Sequence, residues 1–271
     1  MIPAMYTGFK YSIPFDQTIK LIADAGFTVT ALGGVVKHSR FDTKTGRANI
    51  QKLLQNHNLT LNSVHSPLPH GALLFSPDEV ERLEAVRQCK FAVDAADELN
   101  GRIVVLHLIH TRKSDDEIWN KMIDNGRKSI DELAHYANRA TVKLALENSI
   151  KPEYDEVLST MLNEFTAPHI GFCYDTGHEH AGGRSFQILE EFGDRLFTTH
   201  IHDNDGTADL HSVPYEGSLD WKRFKDVMKN INYSGNLLFE TDMVNSQYKD
   251  PAEFLARVKE VADNFSTHLT G

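Results

Sequence analysis

The feature that most restricts this chain is an eightfold alternation between short apolar runs rich in β-branched residues and longer stretches of helical period. The runs fall at 4–9, 28–32, 59–64, 102–106, 142–146, 169–174, 196–201 and 236–239. The helical stretches fall near 15–25, 46–57, 77–99, 115–140, 153–165, 185–193, 219–231 and 250–265. Runs such as Ile103-Val104-Val105-Leu106 are apolar on both faces, as buried parallel strands are. Ser76-Pro77-Asp78-Glu79 reads as a Ser N-cap with Pro at the first helical position, and Asp250-Pro251-Ala252-Glu253 repeats the pattern. Gly26 and Gly235 mark helix-to-strand returns. Strict alternation with short connections implies parallel strands joined by right-handed crossovers. Eight such units in 271 residues favour a closed barrel over an open doubly wound sheet, and neither a Gly-x-Gly-x-x-Gly nor a P-loop is present to argue otherwise. The expectation is an α/β fold, a single (β/α)8 barrel domain over residues 1–271.

In such barrels the chemistry sits at the carboxyl ends of the strands, so the residue that ends each run matters most. Runs three to eight end in His65, His107, Glu147, Asp175, His200-Ile201-His202 and Glu240. Alone, each reads as a hydrogen-bonded structural group. Six imidazoles and carboxylates aimed at one rim would repel or desolvate one another unless a cation compensates. Histidine is the commonest metal ligand, and this chain has fourteen. A mixed His and Asp/Glu set without cysteine suits Zn²⁺, Mn²⁺ or Fe²⁺ better than a structural zinc, with Mg²⁺ open if few imidazoles bind. The period-2 rule puts His200 and His202 on the same side of their strand, so parity does not choose between them. It also puts Cys173 on the side of Asp175, as core packing. His178 follows in the next loop, and Asp209-Leu210-His211 lies beyond the seventh run. Phe9, at the end of the first run, is expected to form an apolar wall against substrate. Lys37-His38-Ser39-Arg40 reads as a solvated loop. His38, His57, His70, His110, His135, His169, His180 and His268 fit no ligand position, His70 and His110 being placed near the mouth. Trp119 and Trp221 are expected to pack on the barrel or border the pocket.

Composition narrows the partners. The net charge of −10, from 28 basic and 38 acidic residues, argues against a nucleic-acid backbone as ligand. Two cysteines are too few for a disulfide framework. No run approaches the roughly 20 apolar residues that cross a bilayer, and Met1-Ile2-Pro3-Ala4 opens no secretory leader. The expectation is a cytoplasmic protein without membrane contact, able to form a homo-oligomer.

The segments Val64-His65-Ser66-Pro67, Leu106-His107, Leu146-Glu147-Asn148, Asp175-Thr176-Gly177-His178, His200-Ile201-His202-Asp203, Asp209-Leu210-His211 and Glu240, in this order, resemble the xylose isomerase-like TIM-barrel superfamily. That superfamily holds sugar isomerases and epimerases together with the endonuclease IV family. In the first branch, the residues matching Glu147, Asp175, a strand-7 His and Glu240 hold one metal. The two glutamates there exchange protons with the substrate, and the residue matching His178 contacts it. In the endonuclease branch three zinc ions take nine ligands, matching His65, His107, Glu147, Asp175, His178, His200, Asp209, His211 and Glu240. The resemblance implies His200 as the strand-7 ligand, with His202 as its support or a substrate contact beside His178 and His211. The first run continues as Tyr6-Thr7-Gly8-Phe9-Lys10-Tyr11 where the endonucleases carry a His-containing segment, which points away from DNA. The resemblance thus implies a metal-dependent isomerase or epimerase of carbohydrate metabolism. Glu147 and Glu240 would act as base and acid on a small polyhydroxy carbonyl compound, through an enediolate. The alternatives are a zinc phosphodiesterase acting at abasic sites, a metal-assisted dehydratase, and a barrel that only binds its ligand.

Overall fold

A computed structural model of the chain describes residues 1–109 and 116–270, the side chains of 267–270 excepted. Eight strands form one sheet: β1 (Pro3–Tyr6), β2 (Val29–Leu32), β3 (Thr60–His65), β4 (Ile103–Leu106), β5 (Lys143–Glu147), β6 (Ile170–Asp175), β7 (Leu196–His200) and β8 (Leu237–Phe239). All pairs are parallel and the order is β7-β6-β5-β4-β3-β2-β1-β8. A parallel bridge between Ile201 and Phe239 draws the last two strands together. There Ile201 N donates to Leu238 O (2.8 Å) and Glu240 N to Ile201 O (3.1 Å). The result is the (β/α)8 barrel that the alternation implies.

The helices are α1 (Phe15–Asp24), α2 (Val36–Ser39), α3 (Lys44–Asn56), α4 (Glu79–Glu98), α5 (Asp116–Arg139), α6 (Pro152–Glu164), α7 (Thr176–Ala181), α8 (Gln187–Phe192), α9 (Trp221–Asn230) and α10 (Pro251–Thr270). α1 shows why they lie against the sheet: Phe15, Thr18, Ile19 and Ile22, spaced i, i+3, i+4 and i+7, are its buried stripe. Gly26, with φ +90°, turns the chain back into β2, where an L side chain would be strained. Among the described residues no helix is long and apolar enough to cross a membrane.

The apolar core has two tiers. The larger fills the space between strands and helices, with Phe41, Phe75, Phe172, Phe224, Phe254 and Phe265 fully buried. The smaller plugs the barrel itself in two clusters, Ala4, Val29, Ala31 and Leu238 in one and Val105, Ala145 and Cys173 in the other. Two residues further along the same strands, hence on the same inward face, come Tyr6, Glu240, His107, Glu147 and Asp175. The plug is therefore the floor on which the polar rim stands.

Local chemistry shifts several boundaries. β1 ends at Tyr6, and Phe9 lies in a 3-10 turn over Thr7–Lys10. The N-cap of α4 is Asp78, which accepts from Val80 N (2.8 Å) and Glu81 N (3.1 Å). Ser76 stands outside the helix and donates to Glu81 (2.6 Å), which leaves Asp78 Oδ1 to accept both N–H groups of the first turn. Asp250 caps α10 as expected, through Ala252 N and Glu253 N. The segment at 37–40 is not a solvated loop: it lies mostly within α2, with His38 packed against Tyr11 and Phe15 and bonded to Ile13 O. His178 stands on the short α7 rather than in a loop. His70 and His135 are exposed, whereas His38, His57, His169 and His180 are half-buried. His110 and the side chain of His268 lie outside the described residues.

Candidate active site

The carboxyl ends of β3 to β8 converge. Among the described residues, four groups of potential ligands lie with their donor atoms within 4.8 Å of one another: Glu147, Asp175, His200 and Glu240; His65, His107 and Glu147; His202, Asp209 and His211; and Glu147, Cys173 and His200. Glu147 is the shared member of three of them.

Backbone carbonyls orient the imidazoles. A carbonyl can only accept, so the ring nitrogen facing it carries the hydrogen. His65 Nδ1 donates to Ser66 O (2.8 Å), His178 Nδ1 to Asn148 O (2.9 Å) and His211 Nδ1 to Glu240 O (2.7 Å). Each Nε2 is thereby turned inward: His65 towards His107 Nε2 (3.1 Å), His178 towards Asp209 Oδ2 (3.3 Å) and His211 towards the same Asp209 oxygen (3.2 Å). Such partners behind the ring are what holds an imidazole for metal ligation.

The carboxylates are held as anions. Burial raises the carboxyl of Glu147, but His107 and His200 outweigh it and keep it well below the usual range. Burial likewise opposes ionisation of Glu240, and His200 brings it down to about 2. His200 Nδ1 sits 2.8 Å from Glu147 Oε1 and 2.8 Å from Glu240 Oε2. A single N–H cannot serve both oxygens well. Glu147 Oε2 is buried without a hydrogen bond, although His107 Nε2 is 2.7 Å away. Despite burial, His200 is held well above the usual imidazole range by Cys173, Glu240 and Glu147, His178 likewise by Asp175 and Asp209, and His211 is pushed up to about 10 chiefly by Asp209. His65, buried beside His107, is lowered to about 4 and keeps its Nε2 lone pair. Negative charge gathered at the ends of three strands and in the loop after β7 thus draws protons onto neighbouring rings. The donor set fits a divalent cation, which would take the place of those protons.

Asp175 shows how the local sequence builds this. It ends β6, and its side chain caps α7 by accepting from His178 N (2.7 Å), which sets the ring of His178 over the rim. His202 Nε2 lies 3.0 and 3.1 Å from the two Asp175 oxygens, and its ring stacks on His211 at 4.1 Å. His202 is fully buried, so its place is beneath Asp175 and not on a substrate surface. Gly177 leaves room for it: a Cβ there would fall 2.0 Å from His202 Cε1.

Two hollows open on the rim. One, of about 480 Å³, is lined by Tyr6, Phe9, Tyr11, His211 and Asp242 among others. The other, of about 250 Å³, is lined by His107, Glu147, Asn148, Tyr154, His178 and Asp209. Phe9 is fully buried in the wall of the first, its ring 6.1 Å from Phe254. Trp119 stacks on Tyr154 behind the second at 6.3 Å.

Two contributors were not foreseen from the sequence. Tyr6, at the true end of β1, points its hydroxyl at Tyr11 (2.6 Å), and burial keeps both phenols protonated, Tyr11 at about 12. Its inward parity with Ala4 was the available signal. Asp203 is the other. It accepts from Asn204 N (2.9 Å), Leu219 N (3.2 Å), Tyr215 N (3.0 Å) and Trp221 Nε1 (2.7 Å), tying down both ends of the loop that carries Asp209 and His211. Nothing in the local sequence marks it as that hub.

Residues 19–258 match the family described as xylose isomerase-like TIM barrel. An uncharacterized protein of Sinorhizobium fredii is 31% identical over 169 residues, covering 60% of this chain and 54% of its own length, so the chain spans about half of that relative. Fructoselysine 3-epimerase of Shigella flexneri is 23% identical over 271 residues, 95% of each chain. The crystal structure of a D-tagatose 3-epimerase-like protein superposes with a TM-score of 0.82 at 19% identity, covering 100% of this chain and 98% of the other.

Proposed function

Because this chain belongs to the xylose isomerase-like TIM-barrel family, we propose that it is a divalent-metal-dependent sugar isomerase or epimerase, working in the cytoplasm as one barrel domain. The observation that carries this reading is the pairing of Glu147 and Glu240 around one nitrogen of His200, 2.8 Å from each, with Glu147 also lining the hollow of about 250 Å³. Fructoselysine 3-epimerase, related over nearly the whole chain, supports a ketose as substrate.

Glu147, Asp175, His200 and Glu240 would hold the cation, Zn²⁺ or Mn²⁺, with His65, His107, His178, Asp209 and His211 as further ligands if more than one binds. When bound, it supplies Lewis-acid polarisation of adjacent carbonyl and hydroxyl oxygens on the substrate. One glutamate, as carboxylate, would remove the proton from the carbon beside the carbonyl and later release it to solvent; the other, also held as carboxylate, would first take up a proton from solvent, pass it to the enediolate and return to carboxylate. Removal and return by two different carboxyls invert that carbon, whereas return to the neighbouring carbon isomerises the sugar. His178 and His211, anchored by their Nδ1 hydrogens, donate to substrate oxygens, and Phe9 backs the cleft wall. His202 keeps Asp175 aimed.

The test is exchange of solvent deuterium into ketoses, fructosyl-lysine and D-fructose among them. Glu147→Gln and Glu240→Gln should each reduce exchange by about 10²–10⁴-fold. Near-normal exchange in both variants would end the assignment. A zinc phosphodiesterase is the second reading, favoured by the two additional ligand groups around His65 and around Asp209. Incision of an abasic DNA duplex with about three metals per chain would establish it in place of the first.

A further inference from the structure

The larger cleft is shaped for more than a sugar. Beyond Tyr6 and His211 its walls are Phe9, Tyr11, Met243, Val244 and Tyr248. Every carbon of a simple ketose carries an oxygen, and oxygens pressed against such walls lose hydrogen bonds to water without replacement. A less oxygenated chain loses nothing there. Val244 is 80% exposed on the rim.

Lys10 and Lys249 line the same cleft. Lys10 is half-buried and has no ion-pair partner among the described residues. Lys249 is exposed and directs its ammonium to a backbone acceptor, Ser246 O at 2.8 Å. Of the other half-buried lysines among the described residues, Lys90 meets Glu132 (2.7 Å) and Lys259 meets Asp263 (2.6 Å), while Lys225 bonds the Tyr215 hydroxyl (3.2 Å). The acid on the cleft, Asp242, uses one oxygen to accept from Val244 N at 2.8 Å. Two ammonium groups that form no ion pair among the described residues, on a cleft shared with His211, can receive an anion there.

We propose that this cleft holds the non-reacting end of the substrate, and that this end is a largely aliphatic chain closed by an acidic group bound by Lys10 and Lys249. The substrate class is then an acid-tailed ketose conjugate rather than a free sugar. This rests on the isomerase or epimerase reading for the reacting end only.

Two probes isolate the acid: the 1-amino-1-deoxyfructose conjugates of 6-aminohexanoate and of hexylamine, which share the spacer and differ in the carboxylate. Calorimetric titration of the metal-loaded protein should show the 6-aminohexanoate conjugate binding about tenfold more tightly, as expected for charge-assisted contacts in a partly desolvated cleft. In the double variant Lys10→Gln with Lys249→Gln the difference should fall within about twofold. Equal affinities in the wild type, or a preference that survives the double variant, would overturn the proposal. D-fructose 6-phosphate, an acid without the spacer, should gain far less over D-fructose; an equal gain would overturn the aliphatic tail. Deuterium exchange separates the two readings. A lysine-dependent preference without exchange into any ketose keeps the subsite and removes the isomerase, and exchange without the preference does the reverse.

Discussion

Replacing Gly177 by Ala adds one methyl group beneath His202, and the structure says what it meets. The new Cβ would lie 2.0 Å from His202 Cε1 and 2.4 Å from Nδ1, where ordinary contact begins at 3.4 Å. The ring would have to retreat by about 1.4 Å, the difference between those two contacts. It has nowhere to go: His202 is fully buried, His211 stacks on it at 4.1 Å, and Asp175 holds its Nε2 at 3.0 Å. Close-packed interiors absorb such a shift by straining or by moving backbone, at about 1–3 kcal/mol. The displacement also takes His202 out of hydrogen-bond reach of Asp175, and loss of a partner behind a metal ligand typically costs about 10–100-fold in metal affinity. Urea unfolding of the chelated protein measures the first effect, and competition of the protein with a chromophoric chelator for Zn²⁺ measures the second. A Gly177→Ala protein with the parent midpoint and the parent zinc affinity would refute the claim that this glycine exists to seat His202 under Asp175.

Asp203→Ala leaves four donors without an acceptor, three backbone and one indole. It should destabilise the fold by about 3–5 kcal/mol in urea unfolding, given about 1–3 for each buried group left unpaired and partial recovery by water. Trp221 fluorescence should report the loosened loop before global unfolding, and an unchanged midpoint would count against the hub. Burial pushes the Cys89 and Cys173 thiols up to about 12, so neither should react with a thiol reagent at pH 8 until the chain unfolds; prompt labelling of the folded protein would contradict their placement. Removing divalent metal should lower the melting temperature, and adding Zn²⁺ or Mn²⁺ back should restore it by mass action, about 4 kcal/mol at a thousand times the Kd. A melting temperature indifferent to chelator and metal would argue that no ion sits among these carboxylates.

The alternation of runs and the residue that ends each run were open to reading because both are local. A strand repeats every two residues and a helix every 3.6, so the barrel and the rim positions His65, Glu147, Asp175 and His200 could be placed by counting. Counting failed where a boundary depended on one turn. Ending the first strand at Phe9 hid Tyr6, because a strand end misplaced by three residues puts the wrong side chain at the rim. It also failed where the decision was three-dimensional. His200 and His202 share a face by parity, yet only the packed structure sets His200 between two glutamates and seals His202 under Asp175. Asp203 gathers donors from residues up to 18 positions away, a closure that no local propensity encodes. The large cleft joins the turn after β1 to the segment after β8, more than 200 residues apart in the chain, which become neighbours because β1 pairs with β8. Local preferences choose the elements and the direction each side chain faces. Distances between those side chains belong to strand pairing and packing across the whole barrel, and the site's chemistry depends on those distances.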